Sequence, residues 1–389
     1  MQSDKSITQT ATNSPDKAKG NPALKVIISG GGTGGHIFPA IAIANAIKKQ
    51  LPATEILFVG ANGRMEMEKV PAAGYKIIGL DIQGIQRKAI WKNFAFPVKL
   101  LKSVSKALSI IKEFKPDAVV GVGGYASGPL LYAASLNRVP YLIQEQNSYA
   151  GITNKLLGKK AKKICVAFDG MERFFPAQNI LKTGNPIREA SVAIVGKKDE
   201  GYAKFGLSAA KKTILVTGGS LGARTLNTAV MAGMDALIAA DVQLIWQTGK
   251  FYYKGIIEKL GEKYHPNICI TEFLERMDLA YAVADVIVSR AGAGTIAELC
   301  VVKKPVILVP SPNVAEDHQT KNALALVNND AALMLSDMEA PEKLIATAIG
   351  LLGNDSKQAT LINNIGKMAM PNADVLIANE VIKLTLPTL

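Results

Sequence analysis

The sequence predicts an α/β protein of two domains, each built on a parallel β-sheet, with a cleft between them. The chain has 389 residues, which is too long for one typical domain and makes two the natural expectation. Short apolar runs alternate with helical patterns almost throughout, as in parallel sheets covered by helices on both faces. The two halves also open with the same kind of segment.

The strands are predicted in two series. The first series comprises residues 24–29, 56–59, 76–80, 117–122, 139–144 and 163–166, and the second comprises 213–217, 243–247, 268–271, 286–289 and 306–309. Helices are expected between most of them, at 39–50, 98–114, 223–239, 295–302 and 318–328. The charged run 197–200 is predicted to be an exposed loop.

The repeated opening divides the chain. LKVIISGGGTGGH begins at residue 24 and TILVTGGSLGAR at residue 213, and each has the strand, glycine turn and helix start of a Rossmann-like mononucleotide-binding unit. The segment 184–188 contains Gly and Pro, which are typical of a connection between domains. We therefore expect a first domain over 22–187 and a second over 188–371. A final helix, 372–389, could pack on either domain. Residues 1–21 are polar without an apolar segment, which predicts a disordered extension and no signal peptide.

Composition narrows the classes of function. Cys165, Cys269 and Cys300 are far apart and form no CxxC pair, which favours a reducing, cytoplasmic compartment. No apolar run approaches the roughly 18 residues that a membrane span needs. The net charge of +13 fits a phosphorylated substrate, anionic lipid or nucleic acid. Nucleic acid is the weakest of these because no zinc-finger, homeodomain or RNP pattern occurs.

The first glycine loop, 30–35, fits G-x-G-x-x-G, whose backbone N–H groups can meet a phosphate at a helix start. NAD or FAD would also require an acidic residue at the end of the next strand, and neither ILFVGANG nor LIWQTGK of the second half supplies one. A Walker A loop is also absent from the sequence, because neither Gly158-Lys159 nor Gly249-Lys250 is followed by Ser or Thr. His36 closes the loop where ligands bind in open sheets, and it could take a proton or simply cap the helix.

Two further clusters follow strands of the second half. The small residues of SRAGAGTIAE, 289–298, expose N–H groups suited to a diphosphate. Glu298, one turn into that helix, could accept both hydroxyls of a ribose or merely favour the helix dipole. The polar run 316–322 suggests recognition of sugar hydroxyls, with a solvated helix start capped by Asp317 as the alternative.

The sequence predicts no metal site. No Asp-x-Asp pair occurs, although transferases that hold a nucleotide diphosphate through Mg²⁺ or Mn²⁺ usually need such carboxylates. We therefore expect helix dipoles and arginines such as Arg188 and Arg224 to balance the diphosphate charge.

Taken together, seven motifs resemble the MurG family, the bacterial UDP-N-acetylglucosamine:undecaprenyl-pyrophosphoryl-muramoyl-pentapeptide N-acetylglucosaminyltransferases. They are GGTGGH at 31–36, GGYASGP at 123–129, EQN at 145–147, GNPIR at 184–188, GGSLGAR at 218–224, AGAGTIAE at 291–298 and DHQTKNA at 317–323. The resemblance implies a GT-B fold, no cofactor, and inversion at the anomeric carbon. It implies transfer of GlcNAc from UDP-GlcNAc to the 4-hydroxyl of MurNAc in lipid I, giving lipid II in peptidoglycan synthesis. The polar N-terminal extension is a departure from the family pattern.

The resemblance also implies roles for particular residues. Donor binding would involve Thr33, Gly34, Gly35, Asn147, Arg188, Ser220, Leu274 (beside the uracil), Thr295, Glu298 (on the ribose) and Gln319 (on the GlcNAc hydroxyls). Thr33, His36, Tyr125 and Asn147 would line the acceptor side. His36 is our hypothesis for the catalytic base, although it could equally bind acceptor phosphates. Asn147 could position a hydroxyl but cannot act as a base.

A basic stretch with aromatic residues, 86–115, is the candidate for membrane contact. Trp91, Phe94 and Phe96 are expected to insert at the headgroup level, while Arg87, Lys88 and Lys92 meet anionic lipid. The helix 98–114 could instead be a core helix with a solvated lysine face. Peripheral attachment to the cytoplasmic face of the inner membrane follows, with anionic lipid, lipid I and other cell-wall synthesis proteins as expected partners.

Other classes of function stay open at this stage. Another GT-B enzyme with a lipid acceptor, such as a diacylglycerol glycosyltransferase, would differ in donor selectivity. A UDP-GlcNAc 2-epimerase would turn over UDP-GlcNAc without an acceptor. An NAD-dependent oxidoreductase would change nicotinamide absorbance, and a non-catalytic membrane-docking protein would release no UDP.

Overall fold

The computed structural model describes residues 23–83, 96–219, 221–261 and 264–386. The predicted extension 1–21 lies outside this range. The strands are β1 Lys25–Gly30, β2 Glu55–Ala61, β3 Lys76–Leu80, β4 Ala118–Gly123, β5 Tyr141–Glu145, β6 Lys163–Val166, β7 Ile180–Lys182, β8 Thr213–Thr217, β9 Gln243–Gln247, β10 Ile268–Thr271, β11 Val286–Ser289, β12 Val306–Leu308 and β13 Leu333–Met334.

The helices alternate with these strands. They are α1 Gly34–Gln50, α2 Glu66–Ala72, α3 Phe96–Phe114, α4 Ser127–Leu136, α5 Ile152–Gly158, α6 Glu189–Val192, α7 Lys198–Phe205, α8 Arg224–Ala232, α9 Met234–Ala239, α10 Tyr253–Leu260, α11 Met277–Val283, α12 Ala293–Val302, α13 His318–Val327, α14 Ala340–Leu352, α15 Asp355–Lys367 and α16 Ala373–Lys383.

Two parallel sheets organise the chain, which confirms the predicted fold class. The first has the order β3-β2-β1-β4-β5-β6-β7 and the second the order β10-β9-β8-β11-β12-β13. Both sheets wind outwards from a central strand, so β1 lies beside β4 and β8 beside β11. Ligand crevices form at the carboxyl ends of the strands at such switch points. The loops after these four strands therefore mark the two halves of a site.

Helices cover both faces of each sheet, which explains why the strands are apolar along their whole length. In the first sheet, α1 contributes Ile43 and Ile47 to the core on one face, and α3 and α4 contribute to the core on the other. The C-terminal helix α16 returns to the first sheet, where Ile377 and Val381 join the same apolar cluster as α1. The side chains of this helix thus pack on the first domain.

Two predicted elements are wrong in detail. The expected helix 223–239 is two helices, since α8 ends at Ala232 and α9 begins at Met234, and a Cβ on Gly233 between them would collide with Ile345 of α14. The run 197–200 is no exposed loop, since Lys198 begins α7 and the acidic Asp199 and Glu200 occupy its first turn, where the helix dipole favours them. The short strands β7 and β13 were not predicted.

Candidate active site

Two glycine-containing loops meet at the carboxyl edge of the first sheet. The N–H of Gly31, after β1, donates to the carbonyl of Gly123 at the end of β4 (3.3 Å). Gly124 has a φ of +91°, and a Cβ there would collide with the backbone of Gly31. Glycine is therefore required where the loops cross. Tyr125, 46% exposed, follows directly and lies beside the first loop.

A buried carboxylate fixes the first loop. The Glu66 Oε2 accepts from the N–H of Gly32 (2.8 Å), and its Oε1 accepts from the N–H of Ala61 (3.0 Å). A Cβ on Gly31 would overlap this carboxylate. Glu66 therefore occupies an N–H group that a bound phosphate would need. This geometry agrees with the absence of a ribose-binding acid after β2 and argues against a dinucleotide in this loop.

His36 lies in the first turn of α1 with its ring half-buried. Its Nδ1 is 3.0 Å from the carbonyl oxygen of Gly31. Since a carbonyl oxygen only accepts, this contact requires the proton on Nδ1 and leaves Nε2 with a free lone pair. Burial lowers the pKa of His36, against an opposing effect of its bond to Gly31. The neutral ring with an unprotonated Nε2 can accept a proton. Thr33, beside it, is exposed.

The loop after β5 is shaped around Glu145, another buried carboxylate. Its oxygens accept from the N–H of Asn147 (3.1 Å), the N–H of Gly151 (3.1 Å) and the Nδ2 of Asn154 (2.8 Å). Burial raises the pKa of Glu145. The ring of bonds holds Asn147 at the edge of the sheet, with its side chain directed to the second domain.

On the second domain, Glu298 lies at the second turn of α12 and is half-buried. The hydroxyl of the buried Tyr281 donates to its Oε2 (3.2 Å). Burial raises the pKa of Glu298, whereas the nearby positive charge of Arg188 opposes that rise. The Arg188 guanidinium is exposed and lies 5.4 Å from the centre of the Phe38 ring in the first domain. A carboxylate and a cation therefore lie on the same side of the cleft.

Asn322 joins the two halves. This fully buried side chain on α13 accepts from the N–H of Ser148 (2.9 Å) through Oδ1. Its Nδ2 donates to the Oδ1 of Asn147 (3.1 Å) and approaches the carbonyl of Ala291 (3.4 Å). One residue thus connects the loop after β5, the small-residue loop after β11 and the helix that carries Gln319. The Gln319 Oε1 accepts from the N–H of Ser311 (2.8 Å), which orients its amide.

Comparison with known proteins identifies the family. Residues 26–166 match the glycosyltransferase family 28 N-terminal domain, and residues 213–376 match the family 28 C-terminal domain. The crystal structure of Acinetobacter baumannii MurG is 30% identical, has a TM-score of 0.74, and covers 93% of this chain and 100% of its own. The chain belongs to the MurG family.

Other proteins share the sequence or the fold of this chain to different degrees. A Bacteroides fragilis protein named UDP-N-acetylglucosamine--N-acetylmuramyl-(pentapeptide) pyrophosphoryl-undecaprenol N-acetylglucosamine transferase is 57% identical, over 93% of this chain and 96% of its own. A UDP-GlcNAc 2-epimerase from Neisseria meningitidis has a TM-score of 0.65 at 14% identity and covers 92% of this chain and 100% of its own. That likeness shows the fold alone. As a MurG-family member, the chain is a glycosyltransferase of GT-B architecture.

The site residues predicted from the sequence fall into four groups. One group lies at the cleft edge of the first sheet: Thr33, Gly34, Gly35, His36, Tyr125 and Asn147. Another group lies on the second domain or the segment leading to it: Arg188, Thr295, Glu298 and Gln319. Leu274 is 6% exposed and packs in the core of the second domain, and its place beside the uracil stays a prediction. The last group lies outside the described residues: Ser220, Arg87, Lys88, Trp91, Lys92 and Phe94. Phe96 is the first described residue of α3.

Two features are absent from the described part of the chain. Across residues 23–83, 96–219, 221–261 and 264–386, no three His, Cys, Asp or Glu side chains group as metal ligands. Over the same ranges, the helices are too short or too polar to span a bilayer.

Three residues that organise the site were not predicted. Glu66 begins α2 and was missed because an acidic residue at a helix start is ordinary. Tyr281 lies in a helix whose residues are nearly all apolar, so its hydroxyl gave no sequence pattern. Asn322 lies inside the DHQTKNA motif, but its burial, which distinguishes it from its polar neighbours, is visible only in the fold.

Proposed function

We propose that this chain transfers GlcNAc from UDP-GlcNAc to the 4-hydroxyl of MurNAc in undecaprenyl-pyrophosphoryl-MurNAc-pentapeptide, which converts lipid I to lipid II. The main support is one arrangement: Asn322 joins the loop of Asn147, on the domain with His36, to the helix of Gln319, on the domain with Glu298. Residues 22–187 would bind the acceptor and residues 188–371 the donor.

Donor binding is assigned to the second domain. The Glu298 carboxylate would accept the ribose hydroxyls, with Tyr281 holding one of its oxygens in place. The N-terminal N–H groups of α12 and the Arg188 guanidinium would stabilise the diphosphate, since helix N-termini and arginines favour phosphate. The oriented Gln319 amide would recognise GlcNAc hydroxyls.

The transfer needs a proton acceptor and a stabilised leaving group. As the 4-hydroxyl oxygen of MurNAc attacks C1 of GlcNAc, its proton passes to Nε2 of His36. The bond between C1 and the diphosphate oxygen breaks, and UDP leaves with the electron pair. Positive groups fixed near the diphosphate stabilise this developing charge. Attack opposite the leaving group inverts the anomeric carbon.

The acceptor is anchored in lipid, so the first domain must meet a membrane surface. Val98 and Leu101 of α3 are 55% and 70% exposed, and Ile152 and Leu156 of α5 are 54% and 71% exposed. Exposed lysines, Lys102 and Lys159, lie on or beside the same helices. Exposed apolar side chains with basic ones on or beside the same helices suit anionic lipid at a bilayer surface. The basic stretch at 87–92 would extend this contact at the cytoplasmic face of the membrane.

The deciding experiment measures UDP release from UDP-GlcNAc with and without a lipid I analogue. The proposal expects release only with the analogue, together with a disaccharide product. Release without acceptor, accompanied by an epimerised sugar, would contradict it. The membrane contact is tested by vesicle sedimentation: Leu101→Ser with Leu156→Ser should weaken binding to anionic vesicles yet spare turnover of a short-chain acceptor. Unchanged sedimentation of that variant would place the contact elsewhere.

A further inference from the structure

A group of three cations surrounds two aromatic rings where the loop after β5 meets α13. The Nζ of Lys321 is 3.4 Å from the centre of the Tyr149 ring, and the Nζ of Lys155 is 4.6 Å from the same centre. The Arg173 guanidinium carbon is 4.7 Å from the Phe174 ring, which packs edge-on against Tyr149. We call Lys155, Arg173 and Lys321 the Tyr149 cation cluster.

The cluster lacks a negative partner within the described part of the chain. Arg173 donates to the carbonyl of Ser148 (2.8 Å) and Lys321 to the carbonyl of Glu316 (2.8 Å), but none of the three forms an ion pair there. Other lysines of this chain do, as Lys182 does with Asp169 (2.6 Å).

The mutual repulsion of these charges calls for an anion. Both ammonium groups contact the Tyr149 ring, so they lie within about 8 Å of each other, roughly one Debye length at physiological salt. Aromatic faces stabilise each cation singly but do not neutralise it. A ligand with two negative charges would relieve this repulsion and gain charge-assisted hydrogen bonds from all three groups.

The position of the cluster indicates which anion it fits. Along the chain, Asn147 is at the cleft, Tyr149 follows two residues later, and Ile152 and Leu156 are exposed apolar residues of α5. Lys155 is on α5 between those two apolar residues. Along the chain, the cluster residues Tyr149 and Lys155 therefore follow the cleft residue Asn147 and adjoin the exposed apolar residues of α5, where the lipid of the acceptor would enter. In a lipid-linked acceptor, the diphosphate joins the sugar to the lipid.

We propose that the Tyr149 cation cluster binds the diphosphate of the lipid-linked acceptor. This inference rests on the proposed function. Lys155 and Arg173 belong to the first domain, and Lys321 belongs to the helix that carries Gln319, so both domains contribute to the site. The diphosphate of the donor is assigned elsewhere, to α12 and Arg188.

The test compares Lys155→Gln/Arg173→Gln with the matched control Lys160→Gln/Lys162→Gln, which removes two exposed lysines that follow α5. Initial rates are measured with a short-chain, diphosphate-linked acceptor and, separately, with varied UDP-GlcNAc. The cluster variant should raise the KM for the acceptor about 10–100-fold, the range expected for lost bonds to a charged group. Its KM for UDP-GlcNAc should not change, and the control should resemble the wild type.

Inorganic pyrophosphate provides a second readout. It should inhibit the wild type and the control competitively with acceptor, and the cluster variant much more weakly.

An unchanged KM for the acceptor in the variant, or an increased KM for the donor instead, would overturn the proposal. Loss of binding to phosphatidylglycerol vesicles with normal acceptor kinetics would assign the cluster to phospholipid headgroups and also overturn it. A wild type without acceptor-dependent turnover would instead refute the proposed function. Lys155→Gln alone, which removes only ring contacts, covers the case in which the double variant does not fold.

Discussion

Replacing Asn322 perturbs the connection between the two domains at one buried side chain. In Asn322→Ala, the buried N–H of Ser148 loses its acceptor, and the oxygens of Asn147 and Ala291 lose a donor. An unsatisfied buried donor costs about 1–3 kcal/mol, and each lost hydrogen bond about 0.5–1.5 kcal/mol. We expect the free energy of unfolding to fall by about 2–4 kcal/mol and kcat to fall with it, because Asn147 is no longer held.

Asn322→Asp separates the two effects. Aspartate keeps the acceptor for Ser148 but replaces the NH₂ group with an oxygen that faces two other oxygens. It should therefore lower kcat at least as much as alanine does. Urea unfolding and steady-state rates measure both quantities. Asn329→Ala, an exposed asparagine just beyond α13, is the control and should behave as the wild type. If Asn322→Asp keeps wild-type rates, the bond to Asn147 does not position that residue, and the reasoning fails.

Three further predictions concern the chemistry. Glu298→Ala should weaken UDP binding by about 1.5–3 kcal/mol in calorimetry, with Glu342→Ala unchanged; equal affinity would leave Glu298 a structural residue. Tyr281→Phe should weaken UDP binding by about 1 kcal/mol. Because the hydrogen bond from Tyr281 lowers the pKa of Glu298, its loss should raise that pKa and shift the loss of UDP affinity on acidification to higher pH. His36→Gln should lower kcat about 10²–10⁴-fold, while His265→Gln should not. Burial lowers the pKa of His36, so wild-type kcat/KM should hold at its ordinary pKa of 6.5 and decline only below it; a decline centred above 6.5 would exclude His36 as the base.

The sequence predicted the parallel sheets because strands covered on both faces are apolar throughout, as β1 and β8 are. It also located the glycine loops, whose residues are local to one strand end. It could not predict the pairing of Asn322 with Ser148, which are 174 residues apart, nor that of Glu66 with Gly32, since such contacts depend on tertiary packing. The prediction of one helix over 223–239 was wrong for the same reason, because Ile345, which packs against Gly233, comes from a distant helix.

The cation cluster illustrates the same limit. Lys321 lies in the polar run 316–322, whereas Lys155 and Arg173 belong to no motif that pointed to a site. Only the fold brings these side chains to Tyr149 and Phe174.

The proposed transfer is tested most directly by the structure of the product formed from UDP-GlcNAc and a lipid I analogue. We expect one GlcNAc joined through the 4-hydroxyl of MurNAc, with the anomeric configuration inverted relative to the donor, as NMR of the purified disaccharide would show. A product with retained configuration, or a sugar attached at another hydroxyl, would contradict direct attack in this cleft.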